Sequence, residues 1–388
     1  MYFNEGWPID RLLYSAEDVQ GGLTTVIEMA GARVMLSNGK FQGNNTGEVG
    51  AQIRMALVPI LFTRGLERAL VIGLGTGHTL RTVSRFPFER LDAVEIAPHI
   101  VEAARLHFED INSGVFDLDP RVRLSIADGR NFLLLAREPY DLITIEISSI
   151  WISGAADLYN KEFYELCRAR LKEHGILQQW VQIHHMRTED FLVVLNTAAQ
   201  VFPHVAFFQG PEQGVLIASQ SPLEMDVREL MQLDSRPEVQ EELRAINVPS
   251  SISLLGELML YGEPMRRALA ELPRRTGRPA DFASTDLRPY LEYQTPRGNV
   301  LPQSTVFENL NFMLALRPAD PLAEIQLLNV SSEDERNLLR GYVATQRGDL
   351  SGALERLRKV SGPLRPRAEE EIKLIESGQR RPKLMGFE

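Results

Sequence analysis

Through the middle of the chain, short apolar runs alternate with longer segments whose apolar residues recur at helical spacing. Residues 69–72 are an apolar run too short for a helix and predict a strand. Residues 79–86 show helical spacing, and residues 91–94 predict a second strand that ends in Glu95. The third strand spans 122–126 and runs into Ala127-Asp128-Gly129, with a helix over 131–136. The fourth spans 140–145 and ends at Glu146; a helix over 162–172, closed by His174-Gly175, leads to a fifth strand over 176–182. A helix over 188–201 and an antiparallel pair over 205–208 and 214–218 complete the series. Strand and helix in alternation predict an α/β fold, a doubly wound and mostly parallel sheet with helices on both faces.

The flanks read differently. Residues 1–18 carry no dominant period. Residues 22–28 and 33–36 predict two strands joined at Met29-Ala30-Gly31-Ala32, and Ser37-Asn38-Gly39-Lys40 marks a second turn. Residues 52–62 are apolar at helical spacing and lead into the central region. Beyond Pro222, short helices are expected over 227–233 and 238–246, and a long apolar helix over 251–272 with a break at Gly262-Glu263-Pro264. Residues 274–297 look loop-like. From 309 onward the chain is helical and charged, with one helical-hairpin repeat over 338–357 and a frayed end over 378–388. The expected organisation is a small N-terminal β unit (1–55), a Rossmann-like nucleoside-binding domain (56–221), a helical and loop extension (222–300) and a C-terminal helical tail (301–388).

The first strand is followed at once by Gly73-Leu74-Gly75-Thr76-Gly77. Glycines here let the backbone turn tightly and approach a ligand with no Cβ in the way. Glu95 falls about 20 residues later, where a carboxylate accepts hydrogen bonds from a ribose diol. Ligands of such sheets bind outside the carboxyl ends of the strands. Gly73, Gly75, Glu95, Asp128 and Glu146 all occupy those ends. Asp128 is placed to accept from an adenine amino group, and as the residue before Gly129 it also suits a helix N-cap. Glu146 stands where transfer chemistry is expected; it would hold a cationic sulfonium or amine, take a proton from an attacking amine, or serve only as an ion-pair partner or loop cap. Trp151 and Tyr159 would wall a substrate pocket or pack in the core. His184 and His185 are adjacent on an extended segment and point to opposite faces, so one at most faces the cleft and no metal site is expected. His78 is read as a cap or solvent contact.

Composition narrows the class. The 388 residues carry a net charge of −10 and a pI near 5.4, which argues against a nucleic-acid or anionic-membrane partner. Cys167 is the single cysteine, so no intramolecular disulfide forms, which suits a reducing cytoplasm; its amphipathic surroundings make it a packed small hydrophobe. No apolar run approaches the length of a membrane span, and no signal peptide is visible.

At Gly73 to Gly77, Glu95, Asp128-Gly129 and the run from Ser148 to Tyr164, the chain resembles the spermidine synthase family of polyamine aminopropyltransferases, over about residues 13–182. It is most similar to the bacterial branch often fused to membrane helices, through Glu146-Ile147-Ser148-Ser149-Ile150-Trp151 and the Thr285 to Tyr293 motif. The resemblance implies a methyltransferase-type Rossmann-like sheet and an S-adenosylmethionine or decarboxylated S-adenosylmethionine donor. It implies donor contacts from Gln42, Gly73, Gly75, Thr76, Gly77, Glu95, Asp128 and Gly129. It also implies a substrate pocket with Ser148, Trp151, Tyr159 and His184, a catalytic Glu146, a small-molecule amine acceptor, and a homodimer. The chain departs from the family pattern at Ile147, Ile150 and Thr76, where the family carries aspartates; a multiply cationic acceptor is held by several carboxylates, so Glu146 would have to substitute for one. Three further readings stay open: a non-catalytic nucleoside-binding scaffold, a small-molecule methyltransferase and an NAD-dependent oxidoreductase.

Overall fold

The computed structural model describes residues 9–147, 150, 154–210, 213–298, 301 and 304–380. An eight-stranded sheet forms its centre. In chain order its strands are β5 (Arg68–Ile72), β6 (Arg90–Glu95), β7 (Val122–Ile126), β8 (Tyr140–Ile145), β9 (Leu171–Val181), β10 (His204–Gln209), β11 (Gly214–Ser219) and β13 (Leu258–Leu260). Their spatial order is β13-β10-β11-β9-β8-β5-β6-β7. The run from β9 through β8, β5 and β6 to β7 is parallel, and β11, β10 and β13 add an antiparallel edge.

Period-two alternation sorts β5 between two cores. Ala69 and Val71 join the core under α1 (Val49–Ile60), with Ile53 and Leu57; Leu70 and Ile72 join the opposite core, with Phe163 and Phe191. Each fully buried Leu, Ile or Phe contributes about 1.5–3 kcal/mol. Both faces of the sheet are therefore covered, as the continuous apolar runs require.

A four-stranded antiparallel meander precedes the sheet: β1 (Arg11–Asp18), β2 (Gly22–Met29), β3 (Ala32–Ser37) and β4 (Lys40–Asn44). It leans on α3 (Pro98–His107): Tyr14 donates to Glu102 (2.6 Å), and Arg33 Nε donates to the His107 carbonyl (2.6 Å). This contact swings the β3–β4 turn over the carboxyl ends of β5 and β6.

Three expectations need correcting, and residues 11–18, read without a dominant period, form β1. His174-Gly175 does not close a helix; the helix ends at Arg170 and β9 starts at Leu171, with a register shift between Tyr140 and Leu142 of β8. Gly175 is needed because a Cβ there would sit 2.9 Å from the Tyr140 carbonyl oxygen. Residues 251–272 are no single helix: a 3-10 turn (Ser251–Glu257), strand β13 and the helix Gly262–Leu269 follow one another. Burial from Ser251 to Leu260 removes the periodicity that separates these states. Residues 274–297 hold the end of the helix Glu271–Thr276 and most of the helix Tyr290–Gly298, whose Leu291 and Thr295 are buried one turn apart. The helical hairpin does form, as Glu333–Gln346 and Leu350–Arg358, opened by a Ser332–Glu335 capping box. β12 (Glu224–Asp226) pairs in parallel with β14 (Gln326–Leu328) beside it.

The helix Pro237–Ala245 is tied to α2 (His78–Ser84) by a buried charge. Glu242, 1 % exposed, accepts from Arg81 (2.5 Å) and from Thr82 (3.4 Å). His78 is not solvent-facing: its Nδ1 is bonded to the Ile111 carbonyl (2.7 Å) and its Nε2 lies 3.7 Å from Glu242. Glu242→Ala leaves Arg81 with only the exposed Glu241 (2.8 Å) and Ser113 (3.2 Å) as side-chain partners. It is expected to cost about 3 kcal/mol, the low end for a broken buried pair, read as a lower urea midpoint at unchanged slope.

Candidate active site

Strand β5 is clamped at its carboxyl end. The Gly73 N–H donates to Val94 O of β6 (2.8 Å), and the Glu146 N–H donates to Ile72 O (2.9 Å), extending both ladders past the strand. Gly73 (φ 90°) and Gly75 (φ 51°) then turn the chain in the left-handed region. At Gly73 a Cβ would stand 3.2 Å from the Glu146 carbonyl oxygen, so only glycine lets the β5 and β8 loops touch.

This rim opens on a cleft of about 1000 Å³, a volume suited to a nucleoside-sized ligand. Its lining includes Gln42, Gly73, Gly75, Glu95, Asp128, Gly129, Glu146 and His184. Glu95 is buried and accepts the Leu74 N–H (2.8 Å) on one oxygen and the Ala97 N–H (3.0 Å) on the other. Burial raises its pKa against the pull of those amides. Asp128 accepts the Asn131 N–H (2.7 Å) as a helix N-cap and also lines the cleft, so its two expected placements coincide. A Cβ at Gly129 would come within 2.4 Å of Ile72 Cγ2; glycine brings that helix down onto β5.

Glu146 is the outlying group electrostatically. Its Oε2 accepts from Thr79 (3.2 Å), while Oε1 is sealed from solvent with no partner among the described residues. Burial pushes its pKa up to about 8, against the Thr79 hydrogen bond, which lowers it. His184 moves the other way: burial, and then the neighbouring His185, lower it to about 4, so the ring is a neutral imidazole.

The structure corrects several placements. Thr76 faces away from the cleft; its hydroxyl donates to Gln52 (3.1 Å) and its carbonyl accepts from Asn112 (3.0 Å). Gly77 (φ 85°) opens α2, where a Cβ would meet Asn112 and Phe116. Tyr159 is fully buried behind the lining, its hydroxyl given to the Trp180 carbonyl (2.7 Å). Both His184 and His185 line the cleft, because His185 (φ 51°) breaks the extended alternation that would separate them; its Nδ1 donates to the Leu301 carbonyl (2.9 Å). Ser148 and Trp151 lie outside the described residues.

Sequence reasoning missed Glu48, Gln52, Asp157 and Gln213, which also line the cleft. Glu48 and Gln52 stand one turn apart at the start of α1, a spacing the sequence shows, but nothing in it says which face meets the glycine turn. Gln213 Nε2 donates to Glu48 (3.2 Å), and its Oε1 accepts from Trp180 Nε1. Among the described residues no group of three or more His, Cys, Asp or Glu is arranged to hold a metal ion, and no helix is long and apolar enough to cross a membrane. A second hollow of about 710 Å³, walled by exposed Arg267, Arg274 and Arg275 with Glu271 and Glu308 between them, carries none of these strand-end acids.

A parallel sheet whose glycine turn, acid at the end of the second strand and buried acid at the end of the fourth share one cleft defines a Rossmann-like, methyltransferase-type α/β protein. Residues 48–211 match the family model described as the spermine/spermidine synthase domain. The polyamine aminopropyltransferase of Sodalis glossinidius is 31% identical over 209 residues, 54% of this chain and 72% of that relative. That of Pectobacterium atrosepticum is 29% identical over 208 residues, 53% and 72% of the two chains. The chain belongs to the spermine/spermidine synthase family. The crystal structure of spermidine synthase from Thermotoga maritima shares the fold, with a TM-score of 0.53 at 23% identity over 58% of this chain and 80% of that one. So does a spermidine synthase in complex with the transition state analogue AdoDATO, with a TM-score of 0.51 at 24% identity.

Removing the one hydrogen bond that favours ionised Glu146 should raise its titration further. Thr79→Val is expected to move the Glu146 carboxyl above about 8, read by 13C NMR of the side chain. A raised carboxyl also has a stability signature. The stability it contributes is fully present below the ordinary glutamate range and is lost as pH rises through about 8, so Glu146→Gln should flatten the fall in unfolding free energy over that window.

Proposed function

We propose that the cleft binds the adenosine part of an S-adenosyl donor and passes its aminopropyl group to an amine acceptor. The carrying observation is the meeting of Glu95, Asp128 and Glu146 on one rim, with Glu146 Oε1 buried and unpartnered among the described residues. The name shared by the relatives, polyamine aminopropyltransferase, supports an aminopropyl cargo and hence decarboxylated S-adenosylmethionine as donor. The acceptor is a small-molecule amine. The sulfonium leaves as a neutral thioether, so the proposed displacement needs no metal. Cytoplasmic location, a homodimer, and domain boundaries near 55, 221 and 300 are part of the same proposal.

Glu95 receives the ribose hydroxyls, its orientation set by the Leu74 and Ala97 amides. Asp128 accepts the adenine amino group beside Gly129. The Gln42 end of β4 and the turn at Gly73 and Gly75 close on the nucleoside from either side. The acceptor nitrogen attacks the donor carbon attached to the sulfonium. As the C–N bond forms, the C–S bond breaks, its electron pair stays on sulfur, and neutral methylthioadenosine leaves. The proton on the new ammonium passes to Glu146, whose pKa near 8 lies closer to that of an alkylamine than an ordinary carboxyl does. Holding the two reactants in line supplies most of the remaining acceleration. Ile147 lines the cleft where the family pattern has an acid, and Thr76 is turned away, so the acids left to face a cationic acceptor are Glu48 and Asp157, joined by Glu146 once it is ionised.

Isothermal titration tests donor binding: decarboxylated S-adenosylmethionine and methylthioadenosine are expected to bind, and loss of both ends the proposal. Glu95→Gln should weaken methylthioadenosine by about 10–100-fold, the worth of hydrogen bonds to a charged acceptor. Glu146→Gln should keep that affinity and lower turnover by about 10²–10⁴-fold. For the unaltered enzyme kcat/KM should rise with pH through about 8, since the ionised form of Glu146 receives the proton.

A further inference from the structure

The C-terminal helical hairpin lies beyond residues 48–211, the span of the family match, yet it is joined through Glu257 to α1, whose Gln52 lines the cleft. Its first helix packs on the 3-10 turn Ser251–Glu257. A Cβ at Gly256 would stand 2.7 Å from Gln346 Cβ, so the two backbones meet with no side chain between them. Arg347 donates to the Gly256 and Leu258 carbonyls (both 3.3 Å) and to those of Pro318 (2.8 Å) and Ala319 (2.9 Å). Gln346 Nε2 donates to Glu257 Oε1 at 2.7 Å.

That same oxygen accepts from Arg54 Nε at 2.8 Å. The ion pair is sealed, with the Arg54 and Glu257 side chains 9 % and 7 % exposed. Arg54 belongs to α1, the helix that carries Glu48 and Gln52 to the cleft. Gly210 packs against both partners: a Cβ there would lie 2.8 Å from Arg54 Cδ and 3.3 Å from a Glu257 oxygen. The same chain segment soon reaches Gln213, which grips Glu48. On the next turn of α1 the Gln52 side chain accepts from Thr76 (3.1 Å), and its carbonyl stands 3.4 Å from the Thr79 hydroxyl. Thr79 is the donor to Glu146.

We propose that Glu257 is a positioning residue: it joins the C-terminal hairpin to α1 and thereby sets the acceptor side of the cleft, from Glu48 to Glu146. This rests on the reading of the cleft given above. A buried ion pair adds little net stability over a well-packed apolar pair, but it fixes one geometry, since either charge left alone is costly. Here it fixes the depth and rotation of α1 over the glycine turn. Besides the Gln52–Thr76 bond, the donor side has contacts of its own, the β5–β6 ladder and the backbone amides on Glu95, so the joint acts more on the acceptor than on the donor.

Gln346→Leu removes the hairpin's hydrogen bond to Glu257 and leaves the Arg54–Glu257 pair and the Arg347 contacts in place; Glu257→Gln keeps the shape and removes the charge. Both are to be made in the full chain and kept only after a cooperative urea transition is seen. With 1,4-diaminobutane and decarboxylated S-adenosylmethionine, the expected result is an acceptor KM raised about tenfold and a methylthioadenosine affinity unchanged within about twofold. The 13C titration of Glu146 supplies a readout that needs no turnover. As α1 loosens, water enters and the Thr79 hydroxyl turns wholly to Glu146, so its titration should fall by about half a pH unit. Folded variants with unaltered acceptor KM and unaltered Glu146 titration overturn the proposal, as does an equal loss of methylthioadenosine affinity. If the unaltered protein binds no methylthioadenosine, the proposed function fails instead, and the Glu146 titration still decides whether the joint exists.

Discussion

Everything at the cleft depends on the parallel register of three strands. β5 is hydrogen-bonded on one side to β6 and on the other to β8, and both ladders run one residue beyond its end, through Gly73 and Glu146. Parallel strands all finish on the same edge of a sheet. An acid placed at or just after each finish is therefore delivered to a common rim, to within the tolerance of a backbone hydrogen bond. Glu95 and Glu146 are 51 positions apart in the chain and arrive together for this reason. The ordering entropy of the site is carried by the fold, whose two cores lock β5 from above and below.

The same rim gives its two glutamates different electrostatics. Glu95 receives a backbone amide on each oxygen, fixed dipoles that favour its charge. Glu146 has one hydroxyl and an otherwise dry setting, so burial dominates and the proton is held into the alkaline range. Glu95 is held in one orientation by the two amides it accepts from. Glu146 keeps one oxygen without a partner among the described residues. Burial raises the pKa of both, and the difference lies in the partners each oxygen has.

Much of this was legible in the chain because it is local. The strand-turn-helix over Arg68–Ile72, Gly73 to Gly77 and His78–Ser84 carries its own apolar runs and turn residues, and so do Glu95, Asp128 and Glu146 at the strand ends. What was not legible depends on contacts between distant segments. Thr76 sits inside the motif, yet the side its hydroxyl takes is decided by Gln52. His185 joins His184 in the cleft through a positive φ that the Leu301 and Gly298 region supports from more than 100 residues away. β13 was hidden because every residue from Leu258 to Leu260 is buried and no polar position marks a face. His174-Gly175 misled because glycine relieves crowding inside a strand as readily as it ends a helix.

β13 has a consequence for the chain as a whole. It pairs with β10 through Phe207 and Phe208, the most apolar stretch of the antiparallel border. An uncovered strand of that kind offers a row of free amides and carbonyls to any other chain it meets. The three residues Leu258–Leu260 are thus a guard as well as a structural element: they occupy the template on which the molecule would otherwise aggregate. A segment that begins at Leu258, well after β11 ends at Ser219, thus completes the border of the sheet.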